Sequence, residues 1–325
     1  MPRPESARTV VVTGCAGFIG STLCEALVAE GRRVVGIDAF TDAYARRDKE
    51  ENLEGLAGEP RFALVEADLA EDDLAGALAG GPAVVHLAGR PGVRSSFGDG
   101  FAGCLRDNLL ATQRLLEAAR GAGTPRVVWA SSSSVYGDAG PGAADEERTP
   151  TRPVSPYGVT KRACEDLARL ARARGLLTVG LRLFTVYGPR QREDMALRRM
   201  CEALCGGPPF PLHGDGSQTR DLTHVDDVAE AIVRALATPR PAEVYNVGGG
   251  RPASLREAVA LLERIAGAPM PIAAAGRAPG DVARASARTE RAGVDLDWRP
   301  RVPLVLGLSG QLEWVRSRAR RPVAA

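Results

Sequence analysis

Short apolar runs alternate with helical stretches through the first half of the chain. Thr9-Val10-Val11-Val12-Thr13 is a β-branched run that predicts a buried strand, and residues 19–30 predict a helix ended by Gly31. Further strands are expected at Arg33-Val34-Val35-Gly36-Ile37, at 62–65 and at Ala83-Val84-Val85-His86-Leu87. A helix over 105–120, a strand at Arg126-Val127-Val128-Trp129-Ala130, a helix over 156–174 and a strand within 176–184 complete the series. Strands separated by helical spacers of this length imply right-handed crossovers and a mostly parallel sheet. After about Gly188 the pattern loosens. Prolines cluster at Pro208, Pro209 and Pro211, a short strand is expected at Val244-Tyr245-Asn246-Val247, and helices over 255–266 and 304–316. The expected class is α/β: a doubly wound parallel sheet over 1–188, with a soft boundary, and a smaller α/β lobe over 189–325.

Composition narrows the function classes. A chain of 325 residues with 44% hydrophobic and 25% charged side chains suits one large or two fused globular units. A formal charge of +2 gives no whole-chain case for nucleic-acid binding. No apolar run reaches the roughly 18 residues that span a bilayer, and the N-terminal residues carry no apolar signal core, so a cytoplasmic protein is the expectation. Six scattered cysteines without a CxxC pair, and three histidines, predict neither a zinc site nor a disulfide framework. Among 42 basic residues only Lys49 and Lys161 are lysine. In so arginine-biased a chain, a retained lysine suggests a need for an ammonium, since the two cations differ in proton chemistry.

Candidate chemistry starts at the first strand–helix turn. Thr13-Gly14-Cys15-Ala16-Gly17-Phe18-Ile19-Gly20 lets the backbone approach a pyrophosphate and turns a helix N-terminus toward it, as in a Rossmann-type dinucleotide fold. Asp38 ends the second strand, where a carboxylate accepts hydrogen bonds from the adenosine ribose and repels a 2′-phosphate, so NAD is favoured over NADP. Asp68-Leu69 follows the third strand, either at the adenine edge or as a simple helix cap. Leu87 and Ala88 leave room for cofactor beside the backbone, and His86 reads as a structural histidine.

Ser155-Pro156-Tyr157-Gly158-Val159-Thr160-Lys161 places Tyr157 and Lys161 on one face of a helix start. A phenol ordinarily titrates near pH 10, and an adjacent ammonium favours its phenolate. Upstream, Ser131-Ser132-Ser133-Ser134 closes a strand at the edge of the sheet where ligands of open α/β folds bind. With the glycine turn, Asp38 and Tyr157/Lys161 in this order, the serines read as part of a site rather than as a plain turn.

These motifs resemble the extended short-chain dehydrogenase/reductases, in particular their nucleotide-sugar epimerase branch, over roughly residues 10–314. Thr13 to Gly20 is similar to the family's TGxxGFIG turn, and Ser132, Tyr157 and Lys161 to its catalytic triad. Arg182-Leu183-Phe184-Thr185-Val186-Tyr187-Gly188-Pro189 resembles the loop after the sixth strand, and residues 214–227 resemble the substrate-lobe signature. The resemblance implies NAD as cofactor and a nucleotide-sugar substrate. It implies Ser132, Ser133, Ser134, Tyr157 and Thr185 at the sugar, Arg220 at the pyrophosphate, Asp281 at the nucleoside ribose, and Asn108 in the active-site wall. Helices over 105–120 and 156–174 resemble the pair that joins two subunits in a four-helix bundle, which implies a homodimer.

The implied reaction is oxidation at sugar C4, with Tyr157 taking the hydroxyl proton, followed by return of the hydride to the other face. Ser133 and Ser134 stand where dehydratases carry Asp-Glu, so dehydration is disfavoured. Residues 38–44, 88–95 and 188–196 look most like UDP-glucuronate 4-epimerases, with neutral serines and Arg192 (or Arg190 or Arg94) for a C6 carboxylate. Pro91, Ser95 and Ala278 depart from that branch. The alternatives are a UDP-glucose/galactose 4-epimerase, a UDP-glucuronate decarboxylase, and an NAD-binding scaffold without catalysis.

Overall fold

The computed structural model describes residues 9–43, 45–140, 142–276 and 282–320. The first elements in chain order are β1 (Thr9–Thr13), α1 (Phe18–Ala29), β2 (Arg33–Asp38), α2 (Arg46–Asn52), β3 (Phe62–Glu66) and β4 (Ala83–His86). Then come α3 (Gly100–Cys104), α4 (Ala111–Gly121), β5 (Val127–Ser132), α5 (Pro156–Ala173) and β6 (Thr178–Leu183). β7 (Thr185–Tyr187), α6 (Ala196–Leu204), β8 (Phe210–His213), β9 (Thr219–His224), α7 (Val225–Ala237) and β10 (Val244–Val247) follow. The remaining elements are β11 (Pro252–Ser254), α8 (Leu255–Ala266), β12 (Ile272–Ala275), β13 (Arg284–Ala285), α9 (Glu290–Asp295) and α10 (Leu304–Ala319).

Seven strands form one parallel sheet in the order β3-β2-β1-β4-β5-β6-β10. Its central strands are apolar without alternation because both faces are covered, as all-parallel sheets require. On one face Leu23, Cys24 and Leu27 of α1 pack with Val228 and Ile232 of α7 over Val10 and Val12. On the other, Leu115 and Ala119 of α4 meet Cys164 and Ala168 of α5 over Val11 and Val84. The strand order reverses between β1 and β4, and a ligand crevice opens at the carboxyl ends of strands beside such a switch.

Two expectations change. Val244–Val247 does not belong to the C-terminal lobe: it pairs with β6 from Val244↔Gly180 to Val247↔Leu183 and forms an edge of the main sheet. The helix expected over 105–120 starts earlier, at Gly100, and widens into a π-helical segment over Leu105–Leu110 before α4. The lobe proper is built on β9, which pairs with β7, β11 and β13, and on a separate β8–β12 pair. Met200 of α6, Leu262 of α8 and Leu308 and Leu312 of α10 make its core. Among the described residues no helix is long and apolar enough to cross a membrane.

Candidate active site

The glycine turn is dictated by crowding. Gly14 has φ +69°, and a Cβ there would sit 2.7 Å from the Ala88 backbone nitrogen. A Cβ on Gly20 would sit 2.0 Å from the Gly14 carbonyl oxygen, so α1 can pack on the turn only without a side chain. Gly17 is the N-cap of α1 and no side chain caps that end, which leaves the helix N-terminus for a ligand. Asp38 is held at the end of β2 by three donors: Ala16 N–H at 3.1 Å, Phe40 N–H at 2.9 Å and Lys49 Nζ at 3.0 Å. Asp68 accepts from Ala70 N–H at 2.8 Å and pairs with Arg106 at 2.7 Å, and among the described residues no helix follows it that it could cap.

At the other end of the crevice, Ser155 caps α5 by accepting from Gly158 N–H at 3.1 Å, and Pro156 occupies the first turn. That cap fixes where α5 begins, and so puts Tyr157 in the first turn with Lys161 one turn on. The Tyr157 N–H donates to Ser96 Oγ at 3.1 Å, and Lys161 Nζ donates to the Ala130 carbonyl at 3.0 Å. Ser132 ends β5, and its Oγ accepts from Ser134 N–H at 3.1 Å. Asn108 does not form the wall of the crevice, contrary to the expectation. It is buried behind it, accepting from Arg90 N–H at 2.8 Å and donating to the Arg90 carbonyl and to Thr160 Oγ1, both at 3.1 Å. The π-helical segment over Leu105–Leu110 carries it there.

A buried polar network backs α5. Arg182 donates to both oxygens of Glu165, Nε and Nη2 each at 2.8 Å, and Ser131 Oγ donates to the same carboxylate at 2.7 Å. Arg182 Nη1 reaches Tyr136 Oη at 2.7 Å, and that hydroxyl donates to Asn246 Oδ1 at 2.8 Å. Burial pushes the Tyr136 phenol above its ordinary range, which keeps it a donor. Strands β5, β6 and β10 are thereby tied to α5 just beyond Lys161.

His86 is structural, as its pattern suggested. Its Nδ1 meets Thr13 Oγ1 at 2.8 Å and its Nε2 meets Thr112 Oγ1 at 3.0 Å. Full burial, then the charge of Lys161, pushes its pKa down to about 3 from an ordinary 6.5. A depressed folded-state pKa contributes stability that is present above the unfolded value and lost as pH falls toward the folded one. Between pH 7 and pH 5 the unfolded chain takes up the proton and the native chain does not, a loss of about 2 kcal/mol. Denaturant titrations at the two pH values should therefore show the stability gap between the native chain and His86→Gln narrowing by about that amount on acidification.

The two ends face one cleft of about 720 Å³. Gly14, Gly17, Phe18, Ile19, Gly20 and Asp38 line one part of it, with Asp68, Leu69, Leu87 and Ala88 beside them. Ser132, Ser133, Ser134, Tyr157, Lys161 and Thr185 line the middle, and Arg192 and Arg220 the lobe side. Arg192 is paired with Asp194 through two bonds of 2.9 Å, and Arg94 lies on the same cleft. Arg190 leaves the candidate set: it reaches Glu25 on α1 at 2.6 and 3.0 Å. Arg220 Nη1 donates to the Thr219 carbonyl at 2.9 Å. Asp281, Ala278 and Tyr44 lie outside the described residues. Lys49, conspicuous in the sequence by its rarity but without a role there, lies on the cleft as well.

Comparison with known proteins identifies the family. The model of the NAD dependent epimerase/dehydratase family matches residues 10–248. A Bacillus subtilis (strain 168) protein, the uncharacterized UDP-glucose epimerase YtcB, is 39% identical over 95% of this chain and 98% of its own. The UDP-glucuronate 4-epimerase of Thermodesulfobacterium geofontis is 33% identical over 94% and 95%. The crystal structure of UDP-glucuronic acid 4-epimerase from Bacillus cereus, in complex with UDP-glucuronic acid and NAD, superposes with a TM-score of 0.92 at 38% identity, covering 95% of this chain and 99% of that one. The fold, the turn and the order of the site residues carry the same conclusion as these likenesses: the chain belongs to the NAD dependent epimerase/dehydratase family.

Proposed function

We propose that the chain is an NAD-dependent 4-epimerase of UDP-sugars, interconverting UDP-glucuronate and UDP-galacturonate. What carries this reading is one cleft that holds the uncapped α1 turn and Asp38 at one end and Ser132, Tyr157 and Lys161 at the other. Bound NAD supplies a reversible hydride acceptor. Tyr157 takes the proton from the C4 hydroxyl and returns it after the 4-keto sugar has turned over, while Ser132 shares the hydrogen bond to that oxygen. Lys161, anchored on the Ala130 carbonyl one helical turn beyond Tyr157, supplies the ammonium that would favour the phenolate. Ser133 and Ser134 offer neutral donors to a C6 carboxylate, Arg192 a cation, and Arg220 a fork for the diphosphate. Asp281 is retained as the proposed contact to the nucleoside ribose.

A second reading, a UDP-glucose/galactose 4-epimerase, is favoured by the Arg192–Asp194 pair, which reduces the charge available to a uronate. Purified protein given UDP-glucuronate, UDP-glucose and dTDP-glucose separately, with products resolved by NMR, decides between them. UDP-galacturonate should form fastest. Faster formation of UDP-galactose would replace the first reading by the second, and a UDP-pentose product would make the chain a decarboxylase.

The subunit arrangement we propose is a homodimer through α5 and the α3-to-α4 helix. Phe101, Leu105 and Leu110 on one and Val159 and Leu170 on the other are exposed apolar side chains of the kind an interface covers. Sedimentation at micromolar concentration should give the mass of two chains, and a monomer there would overturn the arrangement.

A further inference from the structure

The chain keeps two lysines among 42 basic residues, and both are buried on the same cleft: Lys161 is 8% exposed and Lys49 5%. Lys161 is accounted for by the tyrosine. Lys49 belongs to α2, a helix with no apolar stripe whose arginines pair outward, Arg46 with Glu50 and Glu66 and Arg47 with Glu51. Lys49 alone among these cations turns inward, to Asp38 Oδ1 at 3.0 Å. One turn on, Asn52 Nδ2 donates to the Ala16 carbonyl at 3.0 Å, so α2 grips both the carboxylate and the glycine turn that flank the adenosine end. A buried ammonium is costly unless it is paired, and here its partner is the group that reads the ribose.

We infer that Lys49 determines cofactor specificity together with Asp38: the two form one nearly neutral reader of the adenosine ribose, in which Asp38 masks a cation suited to a 2′-phosphate. Asp38 alone would reject a 2′-phosphorylated dinucleotide by repulsion. With an ammonium 3.0 Å away, much of that repulsion is cancelled, and discrimination rests on Asp38 occupying Lys49. Removing the Asp38 charge therefore does more than weaken NAD binding. It turns a compact, strongly hydrogen-bonding cation toward the position where NADP carries its extra phosphate.

The test reads nucleotide binding by the purified full chain with no sugar present, so its outcome is independent of which UDP-sugar is turned over. Dissociation constants for NAD and NADP are measured by calorimetry after resident nucleotide has been removed. Asp38→Ser should bind NADP roughly tenfold more tightly than the native chain and NAD more weakly, because the ammonium then bonds the 2′-phosphate while the ribose hydroxyls lose their carboxylate acceptor. Asp38→Ser/Lys49→Met should lose the NADP gain. The inference is overturned if Asp38→Ser gains no NADP affinity, or if the double variant keeps that gain. Should either variant not fold, as far-ultraviolet circular dichroism would reveal, Asp38→Asn and Asp38→Asn/Lys49→Gln carry the same comparison with side chains closer in shape.

Discussion

Tyr157→Phe is expected to lower kcat for sugar epimerisation about a thousandfold, within the range usual for loss of a positioned acid–base group. The substitution deletes one oxygen and leaves its setting intact. α5 is started by the Ser155 side chain and Pro156, and the local backbone is held by Tyr157 N–H on Ser96 and by Thr160 Oγ1 on the Tyr157 carbonyl at 2.8 Å. None of these contacts uses the phenol oxygen. Affinity for the UDP-sugar and the melting temperature should therefore change little, and the loss should fall on kcat alone. Calorimetric binding of the UDP-sugar beside NMR progress curves makes the comparison. A variant that keeps native turnover would remove Tyr157 from the chemistry and require another proton acceptor on the cleft.

Arg182→Met should be the most destabilising single change among those considered, at about 3–5 kcal/mol. It leaves the Glu165 carboxylate buried with Ser131 as a donor and takes a partner from the Tyr136 hydroxyl. Against a total stability of about 5–15 kcal/mol, a chain so altered sits close to its unfolding threshold. Glu165→Gln/Arg182→Met should lose about 2 kcal/mol less than the sum of its single changes, because the second substitution removes the stranded charge. Urea titration of the four proteins gives the cycle directly. Strict additivity would mean that the pair, despite its geometry, contributes no coupling.

Much of the site was legible in residue order because its physics is local. The glycine turn follows a strand whose three valines are buried on both faces, and Ser155-Pro156 announces a helix start, so Tyr157 and Lys161 could be placed without coordinates. Other features depend on distant partners. Nothing in Val244-Tyr245-Asn246-Val247 says that it docks beside β6, since strand order is a property of the whole sheet. Asn108 is carried inward by a widened turn that has no sequence period of its own. Arg192 and Arg190 look equivalent in the chain, yet one lies on the cleft and the other pairs with Glu25 on α1. Lys49 sits in a run of charged residues, where periodicity offers no inward face to read.

The return of β10 to the main sheet bears on how the molecule comes to exist on the ribosome. A nascent chain halted near residue 188 would present β6 as a raw edge and leave Leu23 and Leu27 without the α7 side chains that cover them. The nucleotide-binding half is thus not a piece that finishes before the rest is made: synthesis must run through the lobe's first strands and out to residue 247 before that half can close. Severing the polypeptide at the apparent midpoint would yield two sticky fragments rather than two working modules.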